Sequence, residues 1–196
     1  MDIETYRPLK HGVDRRFVER WSPRAFTAEE IPDAVLLACF EAARWAPSSM
    51  NAQPWRLIYA KRGSAAWPIF LEALQDRPRG WAAGAAALVV FAADTLFDVG
   101  GGLVPSPTHG FDTGAAAENF SLQANLLGWH THGIGSFRRD AIATLLGIPE
   151  RFAVQAVFAI GRLGDPASLP SPFREREQPS TRRNLDEMVM EGGWRG

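Results

Sequence analysis

The chain is poor in three things, and each scarcity excludes a class of protein. It has one cysteine, Cys39, so an intrachain disulfide and a cysteine-built metal site are both excluded. Its longest apolar run, Ala82 to Ala93, is far shorter than the roughly 20 residues that span a bilayer as a helix. No membrane attachment is therefore expected. The opening MDIETYRPLK is polar and starts no apolar signal region, which points to a cytoplasmic protein. Charge of one sign is also scarce: 21 basic against 22 acidic residues leave a net charge of −1, which argues against a general nucleic-acid binder. Lysine is confined to positions 10 and 61, and no Lys or Arg lies between Arg79 and Arg138. The positive charge is arginine, and it sits toward the two ends of the chain.

What is present suffices for a packed domain. The 196 residues are 46% hydrophobic, enough to bury a core without staples, and the length fits one domain over 1–196. Period and punctuation alternate between helices and strands. A short helix is expected over Asp14–Glu19, and a longer one from Pro32 to about Trp45, stopped by Pro47. Strands are expected at Trp55–Lys61, Leu88–Ala93 and Val154–Ile160. Asp112 reads as the N-cap of a helix with an Ala116, Phe120, Ala124, Leu127 stripe, closed by Gly128. A further helix is expected at Asp140–Leu146. The stretches Val99–Gly110 and Gly164–Pro172 read as irregular, the first as a mobile loop or lid.

Several familiar sites are missing. There is no GxxxxGK[ST], GxSxG or HExxH, and GIGSFR at 133–138 places Arg138 where a dinucleotide fingerprint needs its third glycine. His130 and His132 could share a metal only on an extended segment. With no acidic or cysteine partner nearby, no metal site is expected; one imidazole should be buried and the other solvated. Taken singly, the polar clusters that remain read as turns and solvated faces: Arg20-Trp-Ser22-Pro-Arg24, Ala46–Trp55, Gly133–Ser136, and Arg182–Val189.

Taken in order, these segments resemble the nitroreductase family of FMN-dependent oxidoreductases. The resemblance covers most of the chain. It rests on RWSPRAF (20–26), RWAPSSMNAQPWRLIYA (44–60), DTGAAAENFSLQANLLGW (112–129), GIGSF (133–137), LLGIPERF (145–152) and RRNLDEMV (182–189). The APSSxNxQPW block is the most specific of them. The resemblance implies an α+β fold, a nitroreductase-like α/β/α sandwich around a mixed, mainly antiparallel sheet. It also implies a homodimer with FMN sites at the subunit interface.

For site residues, it implies that Arg20, Ser22 and Arg24 grip the FMN phosphate, joined by Arg182 and Arg183. Some relatives carry a Lys where this chain has Ser180. Guanidinium and hydroxyl groups in a fixed fork suit a phosphate. Pro47, Ser48, Ser49 and Asn51, with Gln53, would reach the flavin from the other subunit. Ile134 and Gly135 would lie along the ring near N5, since backbone approaches a ring closely where no side chain intervenes. Arg77 and Arg79 both lie in the stretch where some relatives place a basic group near flavin N1. His109 and Phe111 would contact substrate.

The implied activity is ping-pong transfer from NADH or NADPH to FMN and on to a nitroaromatic, a quinone or a similar small molecule. The cofactor performs the chemistry, so no catalytic acid, base or nucleophile is expected. The same fold also hosts dehalogenation, flavin fragmentation and azoline oxidation. A reading from another class is a non-catalytic dimeric binding protein that has lost FMN.

Overall fold

The computed structural model describes residues 3–194. After a 3₁₀ turn at Ile3–Thr5, helix α1 covers Arg15–Glu19 and α2 covers Asp33–Arg44. Strand β1 (Trp55–Lys61) leads through α3 (Trp67–Glu72) and α4 (Asp76–Ala82) to β2 (Ala87–Asp94). A small hairpin of β3 (Leu96–Asp98) and β4 (Leu103–Pro105) precedes the long helix α5 (His109–Leu126). Strand β5 (His130–Ile134), α6 (Arg139–Leu145) and β6 (Phe152–Gly161) follow, and then α7 (Ser171–Arg174).

The main sheet has the order β1-β2-β6-β5, and each of its pairings is antiparallel. Among the described residues no parallel pair joins it, so the expected mixed sheet is corrected to an antiparallel one. Strand β2 is buried along its whole length, because helices cover both faces of the sheet. Its side chains alternate between the two layers. Leu88 and Val90 pack with Trp67, Phe70, Leu74, Trp81 and Ile142. Val89 and Phe91 pack with Leu36, Cys39, Phe120 and Trp129. A strand buried on both faces reads as a continuous apolar run, which is why AALVVFAA is so legible.

Local chemistry explains the element ends. The Asp14 carboxylate caps α1 by accepting from Arg16 N–H at 2.9 Å. At the end of α5, Gly128 adopts φ +75°. There Trp129 N–H reaches Ala124 C=O at 2.8 Å and Gly128 N–H reaches Asn125 C=O at 2.9 Å, a Schellman pair that a left-handed residue makes possible.

Several expectations are corrected. Helix α2 starts at Asp33, with Pro32 as its cap. Asp112 is not an N-cap: α5 begins three residues earlier, at His109 behind Thr108, and puts Asp112 in its first turn. The supposed lid over Val99–Gly110 contains an ordered hairpin turn, closed by Val99 N–H to Gly102 C=O at 3.2 Å, and then the start of α5. Within 164–172, a 3₁₀ turn covers Pro166–Ser168 and α7 begins at Ser171. His130 and His132 do lie on an extended segment, β5, with both rings partly covered. The described residues hold no group of three or more His, Cys, Asp or Glu placed to bind a metal, and no helix among them is long and apolar enough to cross a membrane.

Candidate functional site

The segment Arg20–Phe26 is laid across the end of the sheet by backbone bonds. Phe26 bridges Leu163, Thr27 N–H donates to Arg162 C=O at 3.0 Å, and Gly164 N–H donates to Ala25 C=O at 2.8 Å. Two glycines allow this approach. A Cβ on Gly161 would meet the Phe26 ring at 2.7 Å, and one on Gly164 would meet the Phe26 carbonyl carbon at 2.7 Å. From the C-terminal side Glu177, its side chain 0% exposed, closes the segment down. Its Oε1 accepts from the N–H of Arg24 at 2.5 Å and of Ala25 at 2.8 Å. Its Oε2 lies 3.5 Å from Arg24 Nη1. Arg20 Nε pairs with Glu118 of α5 at 3.2 Å.

Beside this segment lies a cleft of about 230 Å³. Its floor is the end of β5 and the turn after it, Gly133 to Ser136, and its walls include Arg24, Arg77, Trp81, His132, Phe173 and Arg176. His132 ties floor to wall. Its Nδ1–H donates to Pro23 C=O at 2.9 Å, and its ring lies against Trp81 with centroids 4.5 Å apart. Burial is the main cause that lowers its pKa to about 4, against the pull of its bond to Pro23 and with the push of the Arg24 charge. Burial likewise lowers the pKa of His130, whose ring meets Trp21 edge-on. The expectation of one solvated imidazole is thereby corrected.

The structure distinguishes the two arginines of RPRGW. Arg77 faces the cleft, its guanidinium 5.6 Å from the Phe173 ring centroid. Arg79 is turned away and donates to the carbonyls of Leu71, Glu72 and Leu74. Gly135 is the informative glycine: it lines the cleft, its φ is not left-handed, and an added Cβ would meet nothing within 4 Å. Neither backbone geometry nor packing within this chain calls for a glycine there. At Gly133, by contrast, a Cβ would press on the Phe158 ring at 3.1 Å.

The segment Pro47–Gln53 stands apart from this cleft. Met50, Asn51 and Gln53 all take positive φ, at +52°, +53° and +46°, and each such non-glycine residue costs on the order of 1 kcal/mol. The Ser48 hydroxyl holds the turn by accepting from Gln53 N–H at 3.0 Å. Asp112 anchors it from below: its Oδ2 accepts from Ser49 N–H at 3.2 Å and from the Thr108 hydroxyl at 3.0 Å. The result presents Pro47, Ser49, Met50, Asn51 and Gln53 to solvent. His109 and Phe111, in the first turn of α5, flank the same anchor.

At the C-terminal end, Arg182 donates to the Ser180 hydroxyl at 2.9 Å, and Arg183 is exposed. The expected residues therefore fall into three places. Arg24, Ile134 and Gly135 share the cleft. Arg20 and Arg182 both lie near Arg7, which bonds Arg20 C=O and Ser180 C=O and feels both their charges. Ser22 is half-buried and lies between Arg20 and Arg24 in sequence. Ser49 to Asn51, Gln53 and Phe111 face outward, with Ser48 and His109 half-buried beside them. Sequence reasoning missed Arg7, Arg176, Glu177 and the anchoring role of Asp112. Only Asp112 lay inside a segment already singled out.

Comparison with known proteins identifies the family and the fold. The family model described as the nitroreductase family matches residues 17–162. A protein of Archaeoglobus fulgidus, provisionally named an NADH dehydrogenase/NAD(P)H nitroreductase, is 30% identical over 151 residues, covering 72% of this chain and 80% of that one. A solved structure described as an oxidoreductase containing FMN is 42% identical with a TM-score of 0.94, over 97% of this chain and 96% of that one. The fold is shared more distantly with a Desulfovibrio desulfuricans protein solved in complex with FMN, at 23% identity and a TM-score of 0.73, over 95% of this chain and 100% of that one.

Proposed function

Because this chain belongs to the nitroreductase family, we propose that it is an FMN-dependent oxidoreductase. In this reading it takes reducing equivalents from NADH or NADPH and passes them, in a ping-pong cycle, to a small acceptor such as a nitroaromatic or quinone. The chain acts as one FMN-binding domain over 1–196 and works as a homodimer.

The carrying observation is Gly135. It faces an open cleft, and the chain itself supplies no reason for the absence of a side chain. A flat ring laid along the backbone of Ile134 and Gly135 supplies one. The donor set fits FMN as well. Arg24, Arg77 and Arg176 line the cleft and suit the polar edge of an isoalloxazine, which assigns Arg24 to the ring in place of the phosphate expected for it, while Arg20 and Arg182 suit the phosphate. FMN, when bound, supplies the two-electron chemistry, and the protein's part is orientation and electrostatics.

The remaining roles belong to side chains of this protein. His132, neutral and with its proton on Nδ1 toward Pro23, keeps Arg24 beside the cleft floor. Arg77 places positive charge at the cleft, where it favours an anionic reduced ring. Trp81 and Phe173 exclude water from its walls. Ser49 and Asn51, presented outward on a strained turn, complete the site of a second copy together with Ser48 at the base of that turn. His109 and Phe111 stand beside that turn and meet the acceptor.

The first test is a visible spectrum of the purified protein, alone and after addition of FMN. A flavin spectrum is expected, with NAD(P)H oxidation that depends on a nitroaromatic or quinone; no flavin spectrum even with added FMN sinks the proposal. Gly135→Leu makes the test specific. An added Cβ meets nothing within 4 Å and the position opens on the cleft, so the Tm should stay within about a degree or two, as for a surface change. FMN binding should be lost. Full FMN binding by this variant would remove the ring from the floor of the cleft.

A further inference from the structure

We propose that Arg7 is a positioning residue of an anion site that it forms with Arg20 and Arg182, and that this site takes the terminal phosphate of the flavin. The inference rests on the FMN reading above and extends it to a residue outside every motif of the sequence.

Arg7 follows the N-terminal 3₁₀ turn, with its N–H on Ile3 C=O at 2.8 Å, and is only 8% exposed. Its guanidinium spans three stretches of chain. Nε donates to Ser180 C=O at 2.8 Å. Nη1 donates to Val18 C=O at 3.0 Å and Arg20 C=O at 2.7 Å. Nη2 reaches the Ser180 hydroxyl at 3.4 Å. These partners are carbonyls and a hydroxyl, none of them a carboxylate. A buried cation without a counter-charge is costly.

Its neighbours worsen the imbalance. Burial lowers the pKa of Arg7, and the charges of Arg182 and then Arg20 lower it further. The Ser180 hydroxyl oxygen lies between two guanidiniums, 2.9 Å from Arg182 and 3.4 Å from Arg7. The charges of Arg182 and Arg20 both act on Arg7, and among the described residues the carboxylate paired with this group is Glu118, on Arg20. The surplus of two positive charges matches a phosphate monoester, which carries about −1.5 to −2 at neutral pH.

Arg7 acts on this site chiefly by holding others. It ties the carbonyl of Arg20 to the backbone of Ser180, two residues before Arg182, and so fixes the spacing of the two arginines that have donors to spare. Guanidinium is suited to this because its donors lie in one rigid plane. One Nη2 proton remains for the anion itself.

The test compares two flavins that differ only in the phosphate. FMN and riboflavin are titrated into flavin-stripped wild type, Arg7→Gln and Arg7→Lys by fluorescence quenching, with far-UV circular dichroism and Tm recorded for each. Arg7→Gln should weaken FMN about tenfold or more, the scale of one lost hydrogen bond to a charged group, and leave riboflavin affinity as it is. It should also flatten the salt dependence of FMN binding. Arg7→Lys, which keeps the charge and loses the fork, should fall between.

Equal loss of both flavins, or an unchanged FMN-to-riboflavin ratio, overturns the proposal in favour of a purely structural Arg7. If Arg7→Gln does not fold, the same ratio in Arg7→Lys decides. Wild type that binds neither flavin refutes the FMN reading, and inorganic phosphate then tests the site alone. A phosphate-dependent rise in Tm that Arg7→Lys diminishes retains the anion site; no rise overturns it.

Discussion

His132 joins three parts of the cleft, and its protonation state is part of the fold. Its Nδ1–H is committed to Pro23 C=O, Trp81 covers one face of its ring, and Arg24 adds positive charge nearby. Burial and the Arg24 charge favour the neutral ring and outweigh the Pro23 bond, which favours the protonated one. Burial is the largest contribution, and the folded pKa is lowered from 6.5 to about 4. The unfolded chain therefore binds more protons than the folded one between those values, and stability rises with pH there. The contribution of His132 is complete above pH 6.5 and is lost as pH falls through 4, to a total of roughly 3 kcal/mol. We expect the Tm difference between wild type and His132→Asn to be largest above pH 6.5 and to shrink toward pH 4. A difference that is flat across this range would mean that the imidazole charges freely in the folded state. His130 adds to the slope in the same direction, and comparison with the variant separates the two.

Among the elements, the segment 20–26 depends on close backbone approach more than on its own side chains. Gly164→Ala would press a methyl against the Phe26 backbone at 2.7 Å, where no side-chain rotation can relieve it. Overpacking of this kind costs about 1–3 kcal/mol, and the segment that moves carries Arg20 and Arg24. Both the Tm and FMN affinity are therefore expected to fall in Gly164→Ala. A fall in Tm with unchanged affinity would separate the segment from the flavin site. The segment itself was easy to see in the sequence because its motif is local. The same is true of β1, β2, β6 and α5, whose apolar patterns declare themselves within one element. Strand β5 was hidden because HTHG is not an apolar pattern; its imidazoles are covered by Trp21 and Trp81, which lie far away in sequence. Helices α3 and α4 are six and seven residues long and carry prolines, too short for a periodic signal. In the site, Glu177 and Arg7 were invisible for a related reason. Glu177 meets Arg24 across 153 residues and Arg7 meets Ser180 across 173, and no local pattern encodes such a meeting.

At the scale of the molecule, a single chain presents two unlike surfaces, which the proposed function makes the two halves of one site. The cleft side is recessed and cationic, while the turn at 47–53 faces outward on three left-handed non-glycine residues. Large apolar side chains crowd that outer side in sequence: Trp45 is 71% exposed, Met50 83% and Phe111 83%. Exposed apolar surface next to stored backbone strain is what a chain presents when a partner is to cover it. A two-fold dimer would let each turn complete the partner's cleft, since a two-fold interface uses the same patch twice. Complementation tests this more sharply than mass alone. Arg20→Ala with Arg24→Ala removes the cleft half of the site, and Ser48→Ala with Asn51→Ala removes the turn half. Each double variant alone should bind little FMN. In a heterodimer of the two, one site combines both damaged halves and the other combines both intact halves. An equal mixture, unfolded and refolded together, forms heterodimers in half of all pairings, so it should recover about one quarter of wild-type FMN sites and turnover. If each chain instead built its whole site alone, every site would carry one damaged half and mixing would recover none.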